Sequence, residues 1–205
     1  MTGDRAVGRI IARPFIHKDG KFTRTEDRKD FSLEPPGKTM LDVLSEADIP
    51  VIAVGKINDI FCGRGITRSI HTGGNAEGLE VIKRLAAEAE NGLIFANLVD
   101  TDMLYGHRND VRGYAGALKR IDCALPEIEQ AMKEDDILII TADHGCDPST
   151  PSTDHSREYV PLLIYGQRIR PCNLGTIEGF DCIADFVLAA FGLGKSAVYM
   201  KIAEE

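Results

Sequence analysis

The 205-residue chain lacks several features that mark other classes of protein. Its cysteines are odd in number, widely spaced and without a CxxC pair, so a disulfide framework is not indicated. No apolar run is long enough to span a membrane, and the first residues lack the apolar core of a signal peptide. These absences favour a reduced, cytoplasmic compartment. The five cysteines are Cys62, Cys123, Cys146, Cys172 and Cys182.

An excess of basic residues is also missing. The chain has 24 lysines and arginines against 32 aspartates and glutamates, which gives a net charge of -8. Nucleic acids and anionic membranes bind basic surfaces, so neither is expected as a partner. A phosphate group could still be bound by a local cluster of arginines.

The remaining composition is that of an ordinary globular protein, with 43% hydrophobic and 27% charged residues. Its length predicts one domain, or one domain with an appendage. The strongest boundary signal is the run Pro35-Pro36-Gly37, because two prolines and a glycine stop any regular element. We therefore predict a small segment over residues 1–34, a linker at 35–37 and a larger domain over 38–205.

The small segment is too short to make a core of its own. A strand is predicted within residues 7–16, ending near Pro14. Arginines are frequent here, and two interpretations remain open. A solvated charged segment is the commoner outcome for any charge run. An anion-binding surface is the alternative, because planar guanidinium groups suit phosphate.

Apolar strands alternate with amphipathic helices after the linker. This alternation predicts an α/β fold, a sheet with helices on both faces. Short apolar runs predict strands at 51–55, 93–99, 136–142 and 159–165. Helical periodicity predicts helices beginning after Thr39 and over 76–90, 111–134 and 176–191.

Two of these strands end in acidic and histidine residues. Ligands of such sheets bind beyond the carboxyl ends of the strands. Carboxylates and imidazoles without a thiolate suit manganese, zinc or magnesium, and five such groups exceed one tetrahedral site. The candidate ligands are Asp102, His107, Asp143, His144 and His155. A lone Asp-His pair at a strand end is most often a cap or a surface turn, but three of the five histidines fall in these two loops.

Two other features are predicted to have no role in the chemistry. The run 192–196 ends like a phosphate-binding loop, but it follows a helix rather than a strand, so we interpret it as a helix C-cap turn. Cys146 lies next to the candidate site without a base pattern of its own, and is predicted to be a bystander.

The motifs resemble those of the phosphopentomutase family in the alkaline phosphatase superfamily. Asp-His-Gly at 143–145 is typical of the superfamily, whereas Thr-Asp-His-Ser-Arg-Glu-Tyr-Val-Pro at 153–161 is specific to the mutases. The runs 8–15, 22–25, 53–57 and 97–108 match the same family in order. The resemblance implies an alkaline-phosphatase-like sheet, present in part, and a remnant of a small α+β cap domain over residues 1–34.

The resemblance also implies a reaction and a set of site residues. The family interconverts ribose or deoxyribose 1-phosphate and 5-phosphate, using two Mn²⁺ ions and a phosphorylated threonine. One metal would be held by Asp102, His107 and His155, and the other in part by Asp143 and His144. Contacts to the sugar phosphate would come from Arg9, Arg24 and Lys56.

The chain departs from the family pattern by lacking its N-terminal metal-binding aspartate and nucleophilic threonine. No catalytic nucleophile is therefore assigned within the chain, and the missing N-terminal half is a candidate partner. Two alternatives remain. The chain could belong to another two-metal phosphomutase or phosphatase of the superfamily, or it could be a non-catalytic metal-binding fragment.

Overall fold

The computed structural model describes residues 8–25, 29–88 and 91–203. Short antiparallel strands open the chain, β1 pairing with β4 and β2 with β3. They are β1 (Arg9–Ala12), β2 (Phe15–Lys18), β3 (Lys21–Arg24) and β4 (Lys29–Ser32). The single strand predicted within residues 7–16 is thus two strands, divided at Arg13 and Pro14, where proline offers no N–H to a ladder.

The described side chains of these strands bury little apolar surface. Every residue of β2 is exposed, and the side chains of Phe15 and Phe22 meet only edge to face, with centroids 5.3 Å apart. Phe22 is 71% exposed. The backbone ladders are the main contacts that the structure describes in this segment.

The elements after the linker follow the predicted alternation. They are α1 (Met40–Glu46), β5 (Val51–Val54), α2 (Ile57–Ile60), β6 (Arg68–Ile70), α3 (Asn75–Glu88), β7 (Leu93–Ala96), α4 (Val111–Ala131), β8 (Leu138–Thr141), β9 (Leu162–Tyr165), α5 (Asp181–Ala190) and α6 (Ala197–Ile202). A π-helical turn at Thr101–Tyr105 and a 3₁₀ turn at Gly106–Arg108 join β7 to α4. The strands β6, β5 and β7 form a parallel sheet in that order. In the described part of the chain, no helix is both long enough and apolar enough to cross a membrane.

Helices cover both faces of the parallel sheet. Side chains three apart on a strand point to opposite faces. Val51 of β5 packs with α1 and α5, whereas Val54 packs with α3, and on β7 Leu93 and Ala96 divide in the same way. The two clusters are built on Leu41, Leu44, Val51 and Val187, and on Val54, Val81 and Leu85. The predicted α/β arrangement is confirmed.

The strand leading to Asp143 and His144 has an unexpected partner. Parallel pairing of β7 and β8 would bring the two carboxyl ends to one edge of a sheet, but β8 pairs antiparallel with β9, and the described strands show no ladder between β7 and β8. Ile139 of β8 nevertheless packs against the same apolar cluster as Leu93 and Phe95 of β7. Shared packing, rather than shared hydrogen bonds, therefore keeps the two strands in one neighbourhood.

The run 192–196 is a turn between two helices, as predicted. Gly192 has φ +72°, and the N–H of Leu193 donates to the carbonyl of Leu188 at 2.8 Å, which ends α5. Ser196 then caps α6 by accepting from the N–H of Tyr199. The short elements α2, β6 and α6 are not predicted, because three to six residues carry too little periodicity.

Candidate metal centre

Asp102 is the centre of the candidate site. It lies on the π-helical turn that follows β7, beyond the carboxyl end of the parallel sheet. Its Oδ1 atom is 3.2 Å from Nε2 of His107 and 3.2 Å from Nε2 of His155. One ligand atom from each of these three residues lies within 4.8 Å of the others. Three of the five predicted ligands therefore converge.

A backbone carbonyl orients His107. Its Nδ1 atom is 2.5 Å from the carbonyl oxygen of Thr153. A proton on Nδ1 satisfies this hydrogen bond and leaves the lone pair of Nε2 directed at the Asp102 side. Metal-binding histidines are commonly fixed in this way by a second hydrogen bond.

The loop that delivers His155 is closed by a short bridge. Gly145 and Ser156 exchange backbone hydrogen bonds of 3.2 and 2.9 Å. A Cβ at Gly145 would stand 2.9 Å from the carbonyl oxygen of Ser156, so the close approach requires glycine. The bridge stacks the ring of His155 on that of His144, with centroids 3.6 Å apart.

The polar atoms around Asp102 are spaced as ligands of a shared metal ion would be, and they do not form hydrogen bonds with one another. Oδ1 of Asp102 is buried and has no hydrogen-bond partner, although two ring nitrogens lie 3.2 Å away. Those contacts have the distance of ion pairs without the geometry of hydrogen bonds. Ligand atoms about 2.0–2.1 Å from a tetrahedral ion stand roughly 3.3 Å apart, close to these separations.

Asp143 and His144 form a looser pair. Nε2 of His144 is 3.7 Å from Oδ1 of Asp143, and the Asp143 side chain is 72% exposed. Neither residue joins the group around Asp102, to which His144 is linked by its stack on His155. The structure therefore brings one predicted ligand set together, whereas in the other Asp143 is exposed and His144 is half-buried.

Comparison with known proteins agrees with this geometry. Residues 53–195 match the metalloenzyme superfamily. The chain belongs to the metalloenzyme superfamily. A solved structure, the PH0037 protein from Pyrococcus horikoshii, matches with a TM-score of 0.53 and 18% identity, over 72% of this chain and 46% of that one. The predicted alkaline-phosphatase-like α/β fold is thereby confirmed.

Curated relatives within this superfamily are phosphopentomutases. That of Caldanaerobacter subterraneus subsp. tengcongensis is 56% identical over 95% of this chain and 50% of its own length. That of Clostridium kluyveri is 58% identical over 92% of this chain and 49% of its own length. The predicted resemblance to phosphopentomutases is confirmed, and the chain spans about half the length of these relatives.

Of the three predicted contacts to substrate, the structure describes the side chain of Lys56 but not those of Arg9 and Arg24. Lys56 of the superfamily domain directly follows Gly55 at the end of β5, and its Nζ lies 2.6 Å from Sδ of Met103, next to Asp102. Arg9 and Arg24 lie on β1 and β3, and their side chains are outside the described part of the structure.

Sequence reasoning missed the residues that join the two ligand loops. Asn109 has φ 52° and donates from Nδ2 to the carbonyl oxygen of Thr150 at 2.8 Å. Asparagine tolerates this left-handed backbone, which is a local signal, but no pattern reveals a partner 41 residues away.

Cys146 is buried, and its pKa is raised first by burial and then by the nearby carboxylate of Asp102.

Proposed function

We propose that the chain is the metal-binding part of a phosphopentomutase, which interconverts ribose or deoxyribose 1-phosphate and 5-phosphate. The observation that carries this proposal is an identity of 54–58% to curated phosphopentomutases over about nine-tenths of the chain. Such an enzyme is an isomerase, and a role in nucleoside catabolism in the cytoplasm is part of the proposal.

The metal in this proposal is Mn²⁺, two ions per complete site. Asp102, His107 and His155 would hold one ion, and Asp143 and His144 would contribute to the second. Their carboxylate and imidazole groups suit Mn²⁺ and offer no thiolate that would favour a softer ion. When bound, the ions would stabilise negative charge on a transferring phosphoryl group.

Residues of this chain would also bind the sugar phosphate. Lys56 places a cationic side chain beside the turn of Asp102, where a phosphate oxygen would be held by charge and hydrogen bonding. Arg9 and Arg24 would contribute guanidinium groups from the strands of residues 1–34. We assign that segment to a cap domain, 35–37 to a linker and 38–205 to the metal-binding core.

Arg64 supports the proposed linker. Its guanidinium donates to the carbonyl oxygens of Pro35 at 2.8 Å and Gly37 at 3.2 Å. A further hydrogen bond of 2.9 Å joins Arg64 to the carboxylate of Asp42 in α1. Because one side chain holds both the linker and the core, the chain direction between the two regions is fixed at this point.

The nucleophile of the reaction is not assigned to this chain. In the proposal it is a threonine from the part of the relatives that the chain does not cover, so that part is a candidate partner. A non-catalytic metal-binding chain is the alternative outcome that the measurements below distinguish.

Two measurements on the 205-residue chain test the proposal. The first is Mn²⁺ binding by calorimetry, with His155→Ala as the variant and His71→Ala, an exposed histidine outside the ligand group, as its control. The second is turnover of ribose 5-phosphate and of a phosphoglycerate. Manganese binding that depends on His155, without turnover, favours the non-catalytic candidate. Turnover of the phosphoglycerate alone would contradict the pentose-phosphate assignment.

A further inference from the structure

The side chain of Cys146 lies between the two loops that carry the candidate ligands. It is 7% exposed and stands two residues after His144. A Cβ added to Gly106 would be 2.6 Å from its Sγ atom. The sulfur therefore fills the space beside Gly106, the residue that precedes His107. Any side chain at position 106 would therefore displace the thiol or the turn.

The thiol also lies close enough to the carboxylate of Asp102 to interact with it. Cys146 is nevertheless not a member of the ligand group formed by Asp102, His107 and His155. This distinction separates a ligand from a supporting residue, because a ligand atom would have to approach all three.

We propose that Cys146 is a positioning residue of the metal centre, which locks the turn of Asp102 and His107 against the loop of Asp143 and His144. It does so by packing against Gly106 and by contact of its thiol with the Asp102 carboxylate. This inference rests on the metal site proposed above, and it departs from the prediction that Cys146 is a bystander.

The role follows from what an ion requires of its ligands. Oδ1 of Asp102 keeps no hydrogen-bond partner that would hold it in place. His107 is tethered through Thr153, but the Asp102 turn needs a contact of its own to keep its oxygen directed at the two ring nitrogens. Groups that orient ligands in this way commonly change metal affinity 10–100-fold when they are removed.

The first test compares Cys146→Ala, Cys146→Ser and Cys123→Ala in the 205-residue chain. Cys123 is an exposed cysteine of α4 and serves as the matched control. Calorimetry with Mn²⁺ is expected to show roughly tenfold weaker binding for Cys146→Ala and no change for the control. Binding by Cys146→Ser should be close to that of the native chain, because its hydroxyl still reaches toward Asp102. The visible spectrum of bound Co²⁺ should change for Cys146→Ala alone.

A second test measures the coupling between Cys146 and Gly106. Gly106→Ala should weaken Mn²⁺ binding more in the native background than in the Cys146→Ala background, since removal of the sulfur leaves the new methyl group only contacts of 3.0 and 3.3 Å with Thr101 and the Cβ of residue 146. An equal effect in both backgrounds would overturn the inference.

The outcomes separate this inference from the proposed metal site. If His155→Ala and Cys146→Ala both leave Mn²⁺ affinity unchanged, the site itself is wrong. If His155→Ala abolishes binding while Cys146→Ala lowers only the melting temperature, the site stands and the positioning role of Cys146 is overturned.

Discussion

The strands of residues 8–34 and the domain after the linker hold their shape by different means. In the strands, Phe22 is 71% exposed and the whole of β2 faces solvent. In the domain, Leu41 and Leu44 are completely buried between helix and sheet. Among the side chains that the structure describes, extensive apolar burial is therefore found in the second region and not in the strands. The second region is also the one that assembles the ligand cluster.

The largest expected difference between the two regions is in stability. Leu44→Ala should lower the free energy of unfolding by about 2–5 kcal/mol, because it leaves a cavity at a fully buried position. Phe22→Ala, at an exposed strand position, should change it by less than about 0.5 kcal/mol. Urea unfolding of both variants checks this, and equal losses would show that the strands have a core after all.

The second prediction concerns metal binding. Asp102→Asn should weaken Mn²⁺ binding roughly 100-fold, because it removes the charge of a direct ligand. Loss of a group that only orients a ligand is expected to cost no more than this. Arg24→Ala, in the strand segment, should leave Mn²⁺ affinity unchanged while weakening the binding of ribose 5-phosphate. Calorimetry with each ligand separates the two. Weaker metal binding by Arg24→Ala would mean that the strand segment shapes the metal site.

Local patterns allowed much of the domain to be predicted. The sequence predicts a helix beginning after Thr39, and the structure shows a capping box in which the Asp42 carboxylate accepts a hydrogen bond from the Thr39 N–H. The apolar run from Val51 to Val54 predicts a buried strand, and β5 indeed lies in the middle of the sheet, covered on both faces. Such elements are fixed by neighbours in sequence.

Long-range contacts could not be predicted in the same way. The antiparallel pairing of β8 with β9 is accompanied by the isolated Gly145–Ser156 bridge, and no periodicity identifies either contact. Residue type and strand ends predict five candidate ligands, and the family resemblance implies that Asp102, His107 and His155 share one ion. The carbonyl of Thr153 and the packing of Cys146 on Gly106, which orient these ligands, became visible only in three dimensions.

A third prediction compares two threonines. Thr39→Ala should lower the free energy of unfolding by about 1 kcal/mol, because the N–H of Asp42 loses the side chain that accepts its hydrogen bond. Thr23→Ala, exposed on β3, is the matched control and should change it by less than about 0.5 kcal/mol. Thermal unfolding of both variants is the measurement, and an equal loss would contradict a specific role for the cap.

The smallest expected effect appears in acid, at the point where the two regions join. The N–H of Thr39, above all, and then its hydroxyl and Arg64 hold the pKa of Asp42 below its usual value, against the opposing effect of burial. A lowered pKa in the folded state means that charged Asp42 stabilises the fold above the unfolded pKa of about 3.9. That stabilisation is lost as the pH falls through the lower, folded value.

The variant Asp42→Asn isolates this contribution. The stability difference between the native chain and the variant should be constant above about pH 5 and should shrink below about pH 4, as Asp42 becomes protonated. Denaturant unfolding across this range is the measurement. A difference that grows in acid would reverse the sign, and would mean that Asp42 is stabilising in its neutral form. Because Arg64 links Asp42 to the carbonyls of Pro35 and Gly37, the same loss should loosen the linker and leave the ligand cluster intact.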